Sequence, residues 1–168
     1  MHLALSPGSA MILVMAELIH PDSPDLWETA RTLVREYAAS LGVSLDFQNF
    51  DEELRHFEKE YAPPGGVFLL ARNEGEFVGC GALRRFSVAD CEMKRLYVRP
   101  SGRDLGLGRK IAVALIGEAR SLGYKRMLLD TLPTMRSAQA LYKSLGFVST
   151  EPYRFNPIAG TSFLKLEL

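Results

Sequence analysis

The chain is organised around the stretch Arg103-Asp104-Leu105-Gly106-Leu107-Gly108-Arg109-Lys110. A strand-like run, Glu92 to Val98, precedes this stretch, and apolar residues at helical spacing follow it from Ile111 to Leu122. The spacing predicts a glycine-bearing turn that leads from a strand into the first turn of a helix. Such a turn presents free backbone N–H groups and the positive end of the helix dipole. A phosphate group is a natural ligand for that arrangement.

The glycines and the basic residues of this stretch favour the same kind of ligand. Gly106 and Gly108 carry no Cβ, so a ligand can approach the backbone closely. Arg103, Arg109 and Lys110 add positive charge. The pattern differs from the dinucleotide motif G-x-G-x-x-G, and no G-K-[ST] follows it. It matches R-x-x-G-x-G instead, and taken alone it is equally compatible with a plain strand-to-helix turn.

Three segments in order are more specific than the turn alone. The strand that begins at Glu92, the turn that begins at Arg103 and the segment Ala140-Leu141-Tyr142-Lys143-Ser144-Leu145-Gly146-Phe147 follow one another. Together they resemble the acetyl-CoA-binding core of the GCN5-related N-acetyltransferase (GNAT) superfamily. The resemblance implies an α/β fold in which helices flank a central mixed sheet. The resemblance covers residues 11–168, which are predicted to form one domain. Residues 1–10 are predicted to be a flexible extension.

Hydrophobic periodicity and turn residues predict the element order β-αα-βββ-α-β-α-ββ. Three strands form an antiparallel meander before the turn, and a helical crossover makes the next strand parallel to the Glu92 strand. The predicted strands are Met11–Ile19, Val67–Arg72, Phe77–Arg85, Cys91–Val98, Lys125–Thr131, one from Phe147 and Thr161–Leu168. The predicted helices are Leu26–Leu41, Asp51–Tyr61, the long helix after Gly108 and Arg136–Leu145.

The resemblance implies that acetyl-CoA is the acetyl donor and that the chain holds it at two places. The pyrophosphate would lie in the glycine turn, and the pantetheine arm would pair with an exposed strand edge. One backbone N–H of that edge would stabilise the oxyanion that develops on the thioester carbonyl. The implied cofactor-binding residues are Leu96, Tyr97, Val98, Arg103, Asp104, Leu105, Gly106, Leu107, Gly108, Arg109 and Lys110.

Glu92 and Tyr142 are the implied catalytic residues. An amine acceptor is almost wholly charged at neutral pH, so transfer requires a base, and Glu92 stands where family members often carry one. Tyr142 would protonate the departing thiolate. Each also has a structural interpretation: Glu92 as a solvated strand residue paired with Lys94 or Arg84, and Tyr142 as a half-buried helix aromatic that fills the core beside Phe147. Met135 departs from the family pattern, which often has Asn seven residues before the tyrosine, and Thr134 or Arg136 would have to replace that contact.

The acceptor is poorly specified by the sequence. By resemblance, the region between the first two helices forms part of the acceptor pocket, so Tyr37, Phe47, Phe50 and Tyr61 are candidate wall residues, or else core residues. Four further polar residues suit an amine that carries a carboxylate, although each is also compatible with a solvated surface position: Arg84, Arg85, Arg154 and Asn156.

Composition excludes several function classes. The formal net charge of zero argues against nucleic-acid binding. His2, His20 and His56 have no partner at ligand spacing, so no metal is expected. Cys80 and Cys91 suit buried positions in a reducing compartment. The apolar patch Ala10–Leu18 is too short to span a bilayer and lacks the features of a signal peptide. We expect a cytoplasmic protein, and the resemblance is compatible with a homodimer.

These observations predict an enzyme that moves the acetyl group of acetyl-CoA to a primary amine by direct attack in a ternary complex. The acceptor is a small molecule or a protein amino group. One alternative is a non-catalytic CoA-binding or sensing module, because a fold does not fix a function. A second alternative is a protein that binds another phosphate ligand, such as a nucleotide.

Overall fold

The computed structural model describes residues 15–168. The predicted extension and the first part of the predicted strand Met11–Ile19 lie outside the described residues. The strands are β1 Glu17–Ile19, β2 Val67–Asn73, β3 Glu76–Arg85, β4 Asp90–Val98, β5 Arg126–Thr131, β6 Val148–Ser149 and β7 Ser162–Glu167. The helices are α1 Pro24–Ser40, α2 Phe50–Arg55, α3 Phe57–Tyr61, α4 Leu107–Ser121 and α5 Arg136–Ser144, with short 3-10 turns at Asp46–Gln48 and Pro100–Gly102.

One seven-stranded mixed sheet carries the fold, in the strand order β1-β2-β3-β4-β5-β7-β6. β1 to β4 are consecutive antiparallel neighbours, which confirms the predicted meander. β5 lies parallel to β4 because α4 makes the crossover between them. β7 lies antiparallel between β5 and β6. The predicted α/β class and the predicted order of strands and crossover helices from β2 onward are therefore confirmed.

Helices cover both faces of the sheet, and β2 accordingly begins with a continuous apolar run, Val67 to Ala71. Side chains alternate along β2: Phe68 and Leu70 pack toward α1 and α3, whereas Leu69 and Ala71 pack toward α4 and α5. The residue that follows each of these along the strand faces the other core. The sheet thus separates two hydrophobic cores that share the same backbone.

Local signals in the sequence place the helix ends. Ser23 caps α1, since its Oγ accepts a hydrogen bond from the Leu26 amide at 3.3 Å. Gly146 follows α5 with φ +97°, the left-handed conformation that ends a helix. The prediction of one helix over Asp51–Tyr61 was wrong. The chain leaves helical geometry at His56, with φ −112° and ψ 30°, and α2 and α3 are separate short helices.

A β-bulge in β4 shapes the centre of the sheet. Cys80 pairs with Tyr97 and Ala82 with Lys94, so two residues of β4, Arg95 and Leu96, oppose the single residue Gly81. Arg95 has φ +59°, in the left-handed region. A Cβ at Gly81 would lie 2.5 Å from Ile111 Cγ2, so this glycine lets α4 pack closely on β3 beside the bulge.

Candidate active site

β4 and β5 separate in the middle of the sheet. Their parallel pairing covers only Asp90–Glu92 and Arg126–Leu128. Beyond that point β4 stays paired with β3 as far as Val98, and β5 stays paired with β7 as far as Thr131. Beyond Glu92 and Leu128 the two strands therefore form no hydrogen bonds with each other, and a gap opens between them toward their carboxyl ends.

A cleft of about 840 Å³ extends from this gap to the start of α4. One wall is the end of β4 with the glycine turn, another is the start of α5, and the last turn of α1 closes the side. Its lining residues are Tyr37, Ser40, Leu41, Leu96, Tyr97, Val98, Gly102, Arg103, Asp104, Gly106, Leu107, Gly108, Thr134, Met135, Arg136, Ser137, Ala138 and Leu141.

The glycine turn has the geometry of an anion site. Gly106 precedes α4 in the left-handed region, φ +69°, and the first-turn amides of α4 have no acceptor within the helix. A Cβ at Gly108 would meet only Leu141 Cδ2, at 3.7 Å, so the space beside Gly108 belongs to the cleft. A diphosphate fits this cradle of free amides, since little protein fills it.

The turn does not direct all of its predicted contacts into the cleft. Leu105 is 55% exposed and does not line it. The Arg109 guanidinium donates to Ser144 Oγ at 2.6 Å, and the Lys110 ammonium donates to the carbonyl oxygen of Ala16. The cations that do line the cleft are Arg103 and Arg136.

A smaller cavity of about 40 Å³ lies where β4 and β5 separate, and we call it the inner cavity. It shares Tyr37, Leu41, Leu96 and Met135 with the cleft, so the two are neighbours. Both strands and the 3-10 turn at Asp46–Gln48 contribute to it. Its lining residues are Tyr37, Leu41, Leu45, Gln48, Met93, Lys94, Arg95, Leu96, Leu129, Asp130, Thr131, Leu132, Met135, Tyr142 and Asn156.

Tyr142 connects the inner cavity with the core. Its ring packs on Phe147, with ring centroids 5.6 Å apart, and the residue is only 5% exposed. Burial raises the pKa of the Tyr142 phenol well above its ordinary value, and Tyr37 and Asp130 act in the same direction. The phenol is therefore a neutral hydrogen-bond donor at physiological pH. Tyr142 therefore packs in the core beside Phe147, as its structural interpretation predicted, and also lines the inner cavity.

Glu92 is fully buried and enclosed by hydrogen-bond donors. Oε1 accepts from Arg84 Nε at 3.2 Å and from Arg154 Nη2 at 2.7 Å, and Oε2 accepts from the Tyr153 hydroxyl at 2.7 Å. Of the two pairings considered from sequence, Arg84 is present and Lys94 is not. The two carboxylate oxygens of Glu92 therefore accept three hydrogen bonds from side chains.

A second buried ion pair lies beside the first. Arg95 donates from Nε and Nη2 to the two carboxylate oxygens of Glu53, at 2.9 and 3.0 Å, and the Tyr61 hydroxyl donates to Glu53 at 2.8 Å. Burial alone would raise the pKa of Glu53, but the Arg95 guanidinium outweighs it and the net pKa is lowered. Arg95 also lies over the Phe50 ring, 5.2 Å from its centroid.

Lys94 lines the inner cavity without a carboxylate partner among residues 15–168. It is 5% exposed, and its ammonium nitrogen donates to Gln48 Oε1 at 3.1 Å. Burial is the largest cause that lowers the pKa of Lys94, to about 7, and the Arg95 and Arg84 guanidinium groups add to it. The carboxylates of Glu92 and Asp130 oppose the shift without cancelling it.

The architecture and the site match a known family. A family model described as the Acetyltransferase (GNAT) family matches residues 27–147, more than half of the chain. The chain belongs to the GNAT family. An uncharacterised N-acetyltransferase of Schizosaccharomyces pombe is 46% identical over 140 residues, which cover 82% of this chain and 86% of that relative. This GNAT chain is therefore an acyltransferase, as the resemblance of its three segments implied.

Solved structures share the fold of this GNAT enzyme. An acetyltransferase from Streptococcus agalactiae has a TM-score of 0.75 at 20% identity, over 91% of this chain and 98% of the other. The Salmonella typhimurium protein yncA, solved with its cofactor acetyl-CoA, has a TM-score of 0.65 at 20% identity, over 90% and 93% of the two chains. At these identities the likeness concerns the fold.

The acceptor candidates of this GNAT enzyme take different positions. Tyr37 lines both the cleft and the inner cavity, and Asn156 lines the inner cavity and donates to Asp130 Oδ2 at 3.1 Å. A separate surface pocket of about 370 Å³ lies around Gln48 and contains Phe47, Arg84 and Arg154. The remaining three pack elsewhere, with Phe50 under Arg95, Tyr61 in the core and Arg85 over the Tyr124 ring.

Sequence patterns did not single out three residues of the inner cavity. Lys94 lies in β4, whereas Asp130 and Thr131 lie in β5, and the separation of these two strands brings the three residues to one cavity. The Thr131 hydroxyl is buried and has no hydrogen-bond partner among the described residues. The available signal in the sequence is the presence of charged residues in a strand that is predicted to be buried. For Lys94, this signal is equally compatible with an ion pair to Glu92.

Cys80 and Cys91 are buried free thiols, and burial raises the pKa of both, that of Cys91 to about 12. Within residues 15–168, no group of three His, Cys, Asp or Glu side chains gathers at a metal-binding spacing. Over the same range, none of the helices has the length and apolar character that crossing a bilayer requires.

Proposed function

We propose that this GNAT enzyme transfers the acetyl group of acetyl-CoA to a primary amine by direct attack in a ternary complex. The observation that carries the proposal is the cleft, which joins the glycine turn at one end to the inner cavity at the other. A ligand with a diphosphate, an amide arm and a terminal thioester has its groups in the order that the cleft can receive. The Salmonella typhimurium protein, which holds acetyl-CoA on the same fold, supports this choice of donor.

The chain has a partner for each part of the donor. Gly106, Leu107 and Gly108 offer the amides and open space for the diphosphate, with Arg103 and Arg136 as nearby cations. The edge of β4 from Leu96 to Val98 has no partner in β5, so its backbone is available to an amide arm. Acetyl-CoA would supply the activated acyl group. Thr131 Oγ1, which has no hydrogen-bond partner among the described residues, belongs to a residue of the inner cavity, where we expect the thioester to lie.

We assign Tyr142 as the acid that protonates the departing thiolate. It lines the inner cavity as a neutral phenol, because burial raises its pKa. A backbone N–H near the bulge would stabilise the negative charge that develops on the thioester oxygen. Glu92 stays a prediction as the base. The three side chains that donate to it favour a positioning role, in which Glu92 holds Arg84, Arg154 and Tyr153 in place.

The first test is the thermal unfolding of the purified chain with acetyl-CoA, CoA and ATP. Saturation near 100 Kd adds about 2.7 kcal/mol of stability, which corresponds to about 5–10 °C in Tm for a chain of this size. We expect this shift with acetyl-CoA and with CoA but not with ATP. No shift with acetyl-CoA would overturn the proposed donor, and an equal shift with ATP would favour the alternative of a nucleotide binder.

The second part of the test separates an enzyme from a CoA-binding module. Thiol release is followed with a panel of butylamine, glycinamide, L-lysine and a lysine-containing peptide. Tyr142→Phe should keep the acetyl-CoA shift but slow transfer by about 10²–10⁴-fold, the usual range for loss of a general acid. Tyr124→Phe is the matched control, because its hydroxyl donates to Gly65 O and does not line the cleft. Turnover unchanged by Tyr142→Phe would remove its assigned role.

We also expect the chain to work in the cytoplasm, since two buried free thiols suit a reducing compartment. A homodimer is a further expectation from the resemblance. Both are separate from the transfer chemistry, and neither is needed for the site within one chain.

A further inference from the structure

We propose that Lys94 is the group that takes the proton from the acceptor amine, with its neutral side-chain nitrogen as the base. The proposal rests on the proposed function and names a catalytic residue for the same site. It is carried by the position of Lys94, which lines the inner cavity together with Tyr142. A base and an acid at one small cavity, next to the end of the donor cleft, are what amine acetylation requires.

Regular strand geometry places Lys94 at this position, because it pairs in register with Ala82 just before the bulge. Consecutive residues of a regular strand point to opposite faces of a sheet. Here Lys94 and Arg95 both donate to Gln48 Oε1, at 3.1 and 3.0 Å, so the bulge turns Arg95 to the side that Lys94 already faces. Arg95 pairs with Glu53, while Lys94 lines the inner cavity and contacts Gln48, another residue of that lining.

The charges around Lys94 leave its nitrogen without a close counter-ion. Carboxylates face it from three elements, Glu92 on its own strand, Asp130 on β5 and Glu53 on α2. None of their oxygens lies within 4.0 Å of the Lys94 nitrogen, and those of Glu92 and Glu53 accept from arginines and tyrosines instead. Arg95 on β4 and Arg84 on β3 face it as like charges.

The protonation state follows from that environment. With its pKa lowered to about 7, Lys94 is present at neutral pH partly as a neutral amine with a free lone pair. A base with a pKa near the working pH combines an available lone pair with useful proton affinity. Gln48 Oε1 can accept from either protonation state, so the contact holds the side chain in place throughout.

The proton count closes with Lys94 and Tyr142 alone. The acceptor enters as an ammonium and gives one proton to the Lys94 nitrogen. Its freed lone pair forms the C–N bond, the C–S bond breaks, and the Tyr142 hydroxyl protonates the departing sulfur. The second nitrogen proton of the acceptor restores the Tyr142 phenol, and Lys94 releases its proton to solvent. An amide, a thiol and one solvent proton result.

Two other roles for this region make different predictions. If Glu92 is the base, Lys94 contributes only structure. If Lys94 binds a carboxylate on the acceptor, it acts as a permanent cation. Arginine separates the latter from a base, because a guanidinium stays protonated in proteins and cannot take up a proton.

The first measurement is direct and needs no acceptor. The full chain is labelled with ¹³Cε-lysine, and the lysine signals are titrated by NMR from pH 5 to 11. We expect one signal that titrates near pH 7, that is absent in Lys94→Arg and that persists in Lys59→Arg. Lys59 lies exposed on α3, so its variant is the matched control. A Lys94 signal that titrates above pH 9 would overturn the proposal.

The second measurement is the pH profile of transfer to the fastest amine of the panel. Lys94→Gln should lower kcat by ~100-fold or more and remove the limb with a midpoint near pH 7, and Lys94→Arg should be equally slow. Lys59→Gln should match the unchanged enzyme. All variants should keep the acetyl-CoA thermal shift, which verifies folding and the donor site. If Lys94→Arg keeps the original rate, Lys94 binds the acceptor, and the proposal that it is the base is wrong.

The two proposals fail in distinguishable ways. Loss of the acetyl-CoA shift in the unchanged chain removes the proposed function, whatever the lysine titration shows. A normal acetyl-CoA shift and normal turnover, with Lys94 fully charged at pH 8, remove the base and leave the proposed function standing.

Discussion

At the scale of single residues, the site is governed by how burial treats each charge. Glu92 and Glu53 are buried with arginine partners, and their charges are matched at 2.7–3.2 Å. Lys94 is buried next to them without a counter-ion that close. Taking an unpaired ammonium out of water disfavours its charged form. The same physical effect that makes Lys94 a candidate base should therefore also make it a liability for stability.

We predict a pH-dependent stability gain from Lys94→Met. The folded-state pKa of Lys94 is lowered to about 7, whereas an unfolded lysine has a pKa near ~10.4. Between these values the unfolded chain binds more protons, so the stability of the unchanged protein rises with pH, and the penalty is fully present below pH 7. The variant lacks this term. It should be the more stable protein at pH 7, and the gap should shrink by about 3 kcal/mol toward pH 10.

Urea unfolding at pH 7, 8.5 and 10 measures this gap. Lys59→Met serves as the control, because Lys59 is exposed and does not line the inner cavity, and we expect no such change in its stability difference between pH 7 and pH 10. A gap for Lys94→Met that is constant with pH would show that Lys94 stays charged in the folded chain. That outcome would contradict the environment described for the inner cavity.

At the scale of elements, the start of α4 and the separation of β4 from β5 define the cleft that we propose for the donor. α4 begins at Leu107 after a left-handed Gly106, and its first turn faces the cleft. Gly108 lies within that turn, where an added Cβ would meet only Leu141 Cδ2, at 3.7 Å. Gly117 lies two to three turns later, where an added Cβ would meet no atom within 4 Å. The two glycines share a helix and differ in what lies next to them.

We predict that Gly108→Ala and Gly117→Ala differ in their effect on the affinity for acetyl-CoA. Alanine is the better helix former, so both variants should be more stable, each by about 0.5–1 kcal/mol. The new Cβ of Gly108→Ala occupies donor space and should weaken acetyl-CoA binding by about tenfold, which is about 1.4 kcal/mol. Gly117→Ala should leave the affinity unchanged.

Calorimetric titration of acetyl-CoA into each variant gives the affinity, and thermal unfolding gives the stability. If Gly108→Ala binds acetyl-CoA as tightly as the unchanged chain, the diphosphate does not lie beside Gly108. If both variants lose affinity equally, the effect comes from the helix as a whole and not from the turn.

At the scale of the whole molecule, one sheet joins two hydrophobic cores. Trp27 and Phe68 belong to the core under α1 and α3, and Leu115 and Leu69 belong to the core under α4. Because neighbouring residues of the same strands supply both cores, neither core can be lost while the strands keep their places. The domain should unfold as one cooperative unit.

Leu115→Ala tests this cooperativity. It removes a fully buried side chain and should destabilise the chain by about 3 kcal/mol. Trp27 is the single tryptophan of the sequence and lies in the opposite core. Its fluorescence should report the same lowered midpoint as the far-UV circular dichroism. Val113→Ala, at a half-exposed position on the same helix, should change neither signal appreciably. Separate transitions by the two probes would refute a single cooperative unit.

The amino-acid sequence by itself determined the class of fold and the position of the glycine turn at one end of the cleft, and the tertiary structure decided which residues line the inner cavity at the other end. Hydrophobic periods, the Ser23 cap and the glycine turn act over a few neighbouring residues, so the order of strands and helices and the position of the turn were predictable. The break at His56 was not, because packing overrode a weak helical pattern. The proposed chemistry of Lys94 depends on strand separation and on charges that are distant in sequence. These are non-local contacts, and no short stretch of sequence encodes the burial that sets the pKa of a lysine.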